Sequence, residues 1–325
     1  MNKLKVSSTS FLFIFLIINN ACSSSNENEN ITIKETSTVN QIINQGPILS
    51  SNSTGVFRFK TEGFISNKTI NVYYHIPNGN IESMPILMSF HGGSRNAIDY
   101  RDHWISMADN SNFMVFAPEF DSVDFSSGDQ YNLGNVFEDG DNPSTDTLNQ
   151  KEEWTFSILD PLFEYIKSEV SGDQESYNGW GHSAGSQFLH RFILFMPESK
   201  LNIAVCSNAG WYTVPESGVN FPYGLNKSEL STSTVNMAFS KKIYVHLADL
   251  DTNPNAASLR HNEIVDNQQG LNRRSRGRYF FNISQEISNQ NQTEFNWIKT
   301  EEVLNVGHNA SKMAQDAVRY LYPED

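Results

Sequence analysis

Residues 178–188, NGWGHSAGSQF, set Ser183 between two glycines, Gly181 and Gly185. A serine in that setting can act as a nucleophile when a strand ends just before it and a helix begins just after it. The sharp turn then lifts Oγ clear of the sheet. The glycines let neighbouring backbone approach without a Cβ in the way, and the first N–H groups of the helix remain available to an oxyanion. Such a hydroxyl needs a base, and the base needs a carboxylate to orient it.

The chain holds eight histidines. In the order serine, acid, histidine, both partners follow Ser183, so His75, His91 and His103 fall out by position. His182 lies inside the turn, and His190 lies two turns into the next helix, where a structural role is expected. His246 stands mid-strand, ahead of the best acid, and His261 follows that acid by only ten residues. His308, in EVLNVGHNA, follows the last strand-like run and precedes the closing helix, which makes it the expected base. For the acid, YVHLADLDTNPN offers Asp249 and Asp251. Strand alternation points both the same way and cannot separate them. Asp251 is preferred because it lies further past the strand end, among turn residues; Asp249 is the alternative. SFHGGS ends an earlier apolar run in Gly92-Gly93, where bare backbone can approach a substrate oxygen. The N–H of Gly93, paired with that of Ala184, would make a two-donor oxyanion hole, each donor contributing roughly 3 kcal/mol in the transition state.

Positioning such groups requires a particular scaffold. TINVYYHIP alternates like a half-exposed strand, while PILMSFHGG and FMVFAPEF are short continuous apolar runs typical of buried strands. Residues 152–170 carry apolar positions at helical spacing, with Pro161 expected to kink or restart the helix. ESYNGWG is a strand that stops just before Ser183, followed by a helix from Ala184 to Met196. NIAVCSNAG, KKIYVHLADLD and EFNWIKTEEVLNVGH add further strands, and ASKMAQDAVRYLY a closing helix. Strands alternating with helices predict an α/β fold: a mostly parallel sheet with helices on both faces and its ligand site beyond the carboxyl ends of the strands. GWYTVP then makes Trp211 and Tyr212 candidate walls of that site, and the long acidic stretch 121–146 a candidate rim.

The net charge of −14 offers no basic stripe for nucleic acid. At the N-terminus a basic MNKLK precedes the apolar FLFIFLII, too short to span a bilayer permanently and therefore read as an export signal over residues 1–21. The following Cys22 resembles the lipidated cysteine of bacterial lipoproteins, although Asn19 stands where a branched aliphatic residue is usual. Residues 22–48 are polar and aperiodic, the composition of a flexible tether, leaving 49–325 as one catalytic domain. With only Cys22 and Cys206 present, no disulfide framework or cysteine zinc site is available. Asp139, Asp141 and Asp146 lack the spacing of an EF-hand loop and read as a solvated loop, so no metal is expected.

Taken together, HGG, GHSAG, LADLD and VGH stand in the order that resembles the α/β-hydrolase superfamily, over about residues 69–325. Within it the chain is similar to bacterial exported esterases related to polyhydroxyalkanoate depolymerases and feruloyl esterases, on stretches such as YNLGN, SNAGWYTVP and VGHNASKMA. This resemblance implies a Ser183/Asp251/His308 triad, Gly93 and Ala184 as oxyanion donors, no cofactor, and a serine esterase acting on a small or polymer-derived ester. Ala248 departs from the usual acid loop, where glycine is common. No long apolar insertion suggests a lipase lid, which points to soluble esters or accessible polymers. A monomer that touches the membrane only through its N-terminal lipid anchor, at the outer membrane or surface of a bacterial cell, completes the expectation, with a conventionally cleaved periplasmic or secreted protein as the alternative. A serine peptidase or amidase would use the same triad, and a non-catalytic binding protein on the same fold is the remaining alternative.

Overall fold

The computed structural model describes residues 49–61 and 65–323; the expected signal, Cys22 and tether lie outside them. In chain order the strands and helices are β1 (Ser53–Lys60), β2 (Thr69–Ile76), β3 (Ile86–Phe90), α1 (Ala97–Asp102), α2 (Ile105–Ser111), β4 (Met114–Pro118), α3 (Leu159–Glu169), β5 (Tyr177–His182), α4 (Ala184–Phe195), β6 (Leu201–Ser207), α5 (Thr232–Ser240), β7 (Lys242–His246), α6 (Glu263–Gln269), α7 (Arg273–Gln290), β8 (Trp297–Lys299) and α8 (Ala310–Leu321).

The strands form one eight-stranded sheet in the order β1-β2-β4-β3-β5-β6-β7-β8. β1 and β2 join antiparallel, as do β2 and β4, and every other neighbouring pair is parallel. The continuous apolar runs occupy the centre because a strand covered on both faces must be apolar on both. β3 is the clear case: Ile86 and Met88 enter the larger core, with α3, α4, α5 and α7, while Leu87 enters the second core with α1, α2 and α8. Helices therefore cover both faces, as expected of an α/β sheet.

Residues 152–170 break where Pro161 predicts a restart. Short 3-10 turns at Lys151–Glu153 and Thr155–Ile158 give way to α3, and Pro161 sits in its first turn, where a missing N–H costs nothing. Two helix starts bear directly on the site. Asn309 caps α8, its side chain accepting from the N–H of Lys312, and so anchors the residue after His308. Asn272 caps α7, accepting from the N–H of Ser275, and so fixes Arg273 in the first turn. Among the described residues no helix is long and apolar enough to cross a membrane. Cys206 is fully buried, and burial pushes its thiol pKa up, so it is a packing residue.

Candidate active site

Ser183 sits between β5 and α4 at φ 58°, ψ −117°, a backbone conformation a serine adopts only when its surroundings impose it. Those surroundings are visible. A Cβ on Gly185 would lie 2.0 Å from the Phe90 carbonyl oxygen, and one on Gly181 would lie 2.4 Å from the Gly185 carbonyl oxygen. The turn is thus wedged against the end of β3 at a separation only glycine permits. The Ser183 N–H donates to the Ser207 carbonyl (3.1 Å), tying the turn to β6 as well.

Asp251 and His308 meet across two strand ends. His308 Nδ1 lies 2.7 Å from Asp251 Oδ2, and the Asp251 side chain is almost wholly buried. The Arg274 N–H donates to the Asp251 carbonyl (3.2 Å), and Arg273 Nη1 lies 3.5 Å from Asp251 Oδ1. Asp249 does other work: its Oδ1 accepts from the Val306 N–H (3.1 Å), pinning the His308 loop to the end of β7. Ala248 is fully buried in the second core, with its N–H donating to Asn208 Oδ1 (2.9 Å). Asp251 is therefore the carboxylate placed on the imidazole, and Asp249 braces the loop that carries it.

A cavity of about 530 Å³ brings together Ser183, Ala184, Gly93, His308 and Trp211. The Ser183 and His308 side chains are not hydrogen-bonded to one another here, as is common before a substrate draws such groups together. Gly93 is exposed, and a Cβ there would meet nothing within 4 Å. Ala184 opens α4, which leaves its N–H without an intrahelical acceptor. Of the two expected wall residues only Trp211 reaches the cavity. Tyr212 is fully buried and stacks on Phe280 (centroids 4.4 Å apart), so its assignment as a wall is corrected: adjacent residues here point to opposite sides, one to the site and one to the core. From the acidic stretch 121–146, Gly128 and Asn132 contribute to the lining. The Asp139 carboxylate is occupied by its own loop, accepting from Asp141 N and Asn142 N.

Other histidines are accounted for by structure. His261 has both ring nitrogens engaged, by Asp266 (2.9 Å) and by the Pro254 carbonyl (2.7 Å). His190 spans the Ser186 carbonyl and the Thr213 N–H inside the core. A second Ser–His–Asp run exists: Ser207 Oγ lies 2.8 Å from His246 Nδ1, and His246 Nε2 lies 3.0 Å from Asp316 Oδ2. Ser207 and His246 are both fully buried, and the Trp180 indole N–H also donates to Ser207 Oγ, so this relay is internal bracing.

Sequence reasoning missed several groups around the site. His91 accepts from the Phe120 N–H at Nε2 (3.0 Å) and bonds the Gly92 carbonyl at Nδ1 (3.0 Å). Burial pushes its pKa down to about 3, so it stays neutral and holds the Gly92-Gly93 loop. The Tyr131 hydroxyl adds a bond to the His91 carbonyl (2.6 Å). His182 is buried with its ring 4.4 Å from that of His308, and burial, then the neighbouring His308 and Arg273, drive its pKa well down. Arg260 and Arg273 line the cavity, although no spacing in the sequence marks either.

No protein-family model matches the chain, and no curated protein matches it. Solved structures do. Poly(aspartic acid) hydrolase-1 from Sphingomonas sp. KT-1 is 29% identical, covering 84% of this chain and 100% of its own, at a TM-score of 0.78. LpqC, a poly(3-hydroxybutyrate) depolymerase from Bordetella parapertussis, is 25% identical over 83% of this chain and 89% of its own, with a TM-score of 0.76. A fluorophosphonate-binding serine hydrolase from Staphylococcus aureus, 12% identical over 85% of this chain and 100% of its own, shares the fold at a TM-score of 0.53.

Proposed function

The chain is a hydrolase on the esterase branch of the α/β-hydrolase superfamily, and from that premise we propose that it cleaves carboxylic esters through Ser183, His308 and Asp251. One geometry carries the reading: a buried carboxylate 2.7 Å from the Nδ1 of an imidazole that shares a cavity with a strained serine. In the reaction His308 Nε2 takes the Ser183 proton as Oγ attacks the ester carbonyl. The oxyanion is received by the N–H groups of Gly93 and Ala184. Asp251 holds the proton on Nδ1 and balances the imidazolium charge. The intermediate collapses to an acyl-serine as His308 returns its proton to the departing alcohol, and water, deprotonated by the same imidazole, releases the acid.

Amide hydrolysis is the second reading, favoured by one observation. The two more similar structures act, by their descriptions, on poly(aspartic acid), which is joined by amides, and on poly(3-hydroxybutyrate), which is joined by esters. The N-terminal pattern, a basic MNKLK, an apolar run and Cys22, further supports an exported, lipid-anchored protein at the cell envelope. The test is hydrolysis of p-nitrophenyl acetate, butyrate and octanoate beside the matching p-nitroanilides. Ester turnover that disappears in Ser183→Ala and His308→Ala is expected; turnover of anilides alone would replace the ester reading with the amide one.

A further inference from the structure

We propose that the cavity selects substrates bearing a carboxylate group, and that Arg260 receives it. Its catalytic meaning rests on the hydrolase reading above; its binding content does not. The chain carries 37 acidic side chains against 23 basic ones, yet the cavity is lined by Arg260, Arg273 and His308 and by no Asp or Glu. This reverses the sign of the chain at the cavity that Ser183 lines.

The two arginines are not equivalent. Arg273 is buried and committed to Asp251, so its charge is largely compensated. Arg260 keeps 32% of its side chain exposed. Its guanidinium lies over the Trp211 ring, 4.7 Å from the centroid, and Nη1 reaches Asp141 and the Tyr223 hydroxyl. Among the described residues, Nε and Nη2 of Arg260 have no hydrogen-bond partner. A guanidinium held flat with an open edge suits a planar, two-oxygen anion.

A third arginine adds to the positive field. Arg191 is fully buried, 4.2 Å from the centroid of the same Trp211 ring. Its bonds go only to neutral groups, the Thr213 hydroxyl and the Asn132 and Gln187 carbonyls, and its Nη2 has no partner. A buried cation without a carboxylate is unfavourable by itself, and an anion arriving at Trp211 would offset part of that cost. Asp141 is the nearby competitor; its side chain is 55% exposed, so a substrate carboxylate can displace it. The site therefore fits esters that carry one free carboxylate within a small-molecule distance of the scissile bond.

The experiment measures equilibrium binding to the full-length Ser183→Ala protein, where no turnover intervenes. Monoethyl succinate is compared with diethyl succinate, and 4-acetoxybenzoate with its methyl ester, so that the charge is tried on the acyl and on the alcohol side. In at least one pair the anion should bind about tenfold or more tightly, the range of a hydrogen bond to a charged group. Adding Arg260→Gln should erase that preference, and Asp141→Asn should widen it, a gain that misfolding cannot mimic. Equal binding within both pairs, or a preference that survives Arg260→Gln, would overturn the proposal. If the anion is preferred but the unmodified protein hydrolyses none of the four compounds, the ester reading fails and the anion site stands.

Discussion

Replacing Asp251 by Asn, beside Asp249→Asn, separates two carboxylates that differ by two positions in sequence. Asp251 Oδ2 lies 2.7 Å from His308 Nδ1, and Asp251 Oδ1 lies 3.5 Å from Arg273 Nη1. In Asp251→Asn the amide must choose. With its NH2 towards His308, it forces the proton onto Nε2, the nitrogen that must accept from Ser183. With its NH2 towards Arg273, two donors face each other. Either way the imidazolium loses a counter-charge. Unit charges about 4 Å apart interact by about 4 kcal/mol at an effective dielectric near 20, which corresponds to roughly a thousandfold in rate. Loss of the correct tautomer adds to that, so kcat/KM for p-nitrophenyl acetate at pH 8 should fall by about 10³ or more. Asp249→Asn keeps a carbonyl oxygen for the Val306 N–H and touches neither His308 nor Arg273. Its kcat/KM should stay within a few fold, with about 1 kcal/mol or less lost in stability. Circular dichroism checks that both proteins are folded, and both are expected to be. A thousandfold loss in Asp249→Asn with near-normal rates in Asp251→Asn would refute the reasoning.

Three further outcomes are expected. Gly185→Ala places a Cβ 2.0 Å from the Phe90 carbonyl oxygen and 2.8 Å from that of His91, so α4 must back away from β3; calorimetry should show about 1–3 kcal/mol or more of destabilisation, and esterase rates should fall with it, whereas a fully active, undisturbed protein would contradict the elbow geometry. Ser207→Ala should leave ester hydrolysis intact but remove the shared partner of Trp180 and His246, costing about 1–3 kcal/mol in urea unfolding. For pH, burial holds His91, His182 and His190 below the ordinary histidine value in the folded chain. The unfolded chain then binds more protons than the folded one below about pH 6.5, so stability falls as pH drops, by about 1 kcal/mol per histidine at one unit below that value; urea midpoints that stay flat from pH 7 to 5.5 would argue against three buried neutral imidazoles.

How much of this was visible in the sequence depended on which residues shape each part. The apolar runs of β3 and β4 and the glycines around Ser183 are unambiguous because burial on two faces and backbone contact leave few alternatives. His308 followed from order together with its place between the last strand-like run and the closing helix. The choice between Asp249 and Asp251 was underdetermined because alternation assumes an extended chain, and that chain ends at His246. Past it, the bonds from Asp249 N to Val303 O and from Leu250 N to Val306 O turn the backbone, and only then do the two carboxylates diverge. α7, the longest helix among the described residues, gave little warning because its apolar positions Phe280, Ile283 and Ile287 are interleaved with buried polar ones, Arg273, Arg276, Ser284 and Ser288. Arg260 and Arg273 were invisible for a related reason. Each reaches the site from a segment whose neighbours carry no periodic signal, and their meeting at the cavity is a property of the folded chain.

The central claim is that Ser183 is a nucleophile activated by its surroundings. A fluorophosphonate probe phosphonylates such a serine and spares ordinary ones, and peptide mass spectrometry then names the residue modified. The account predicts one adduct per chain, on the peptide containing Ser183, absent in Ser183→Ala and formed far more slowly in His308→Ala. An adduct on a different serine, or labelling that persists undiminished in Ser183→Ala, would contradict it.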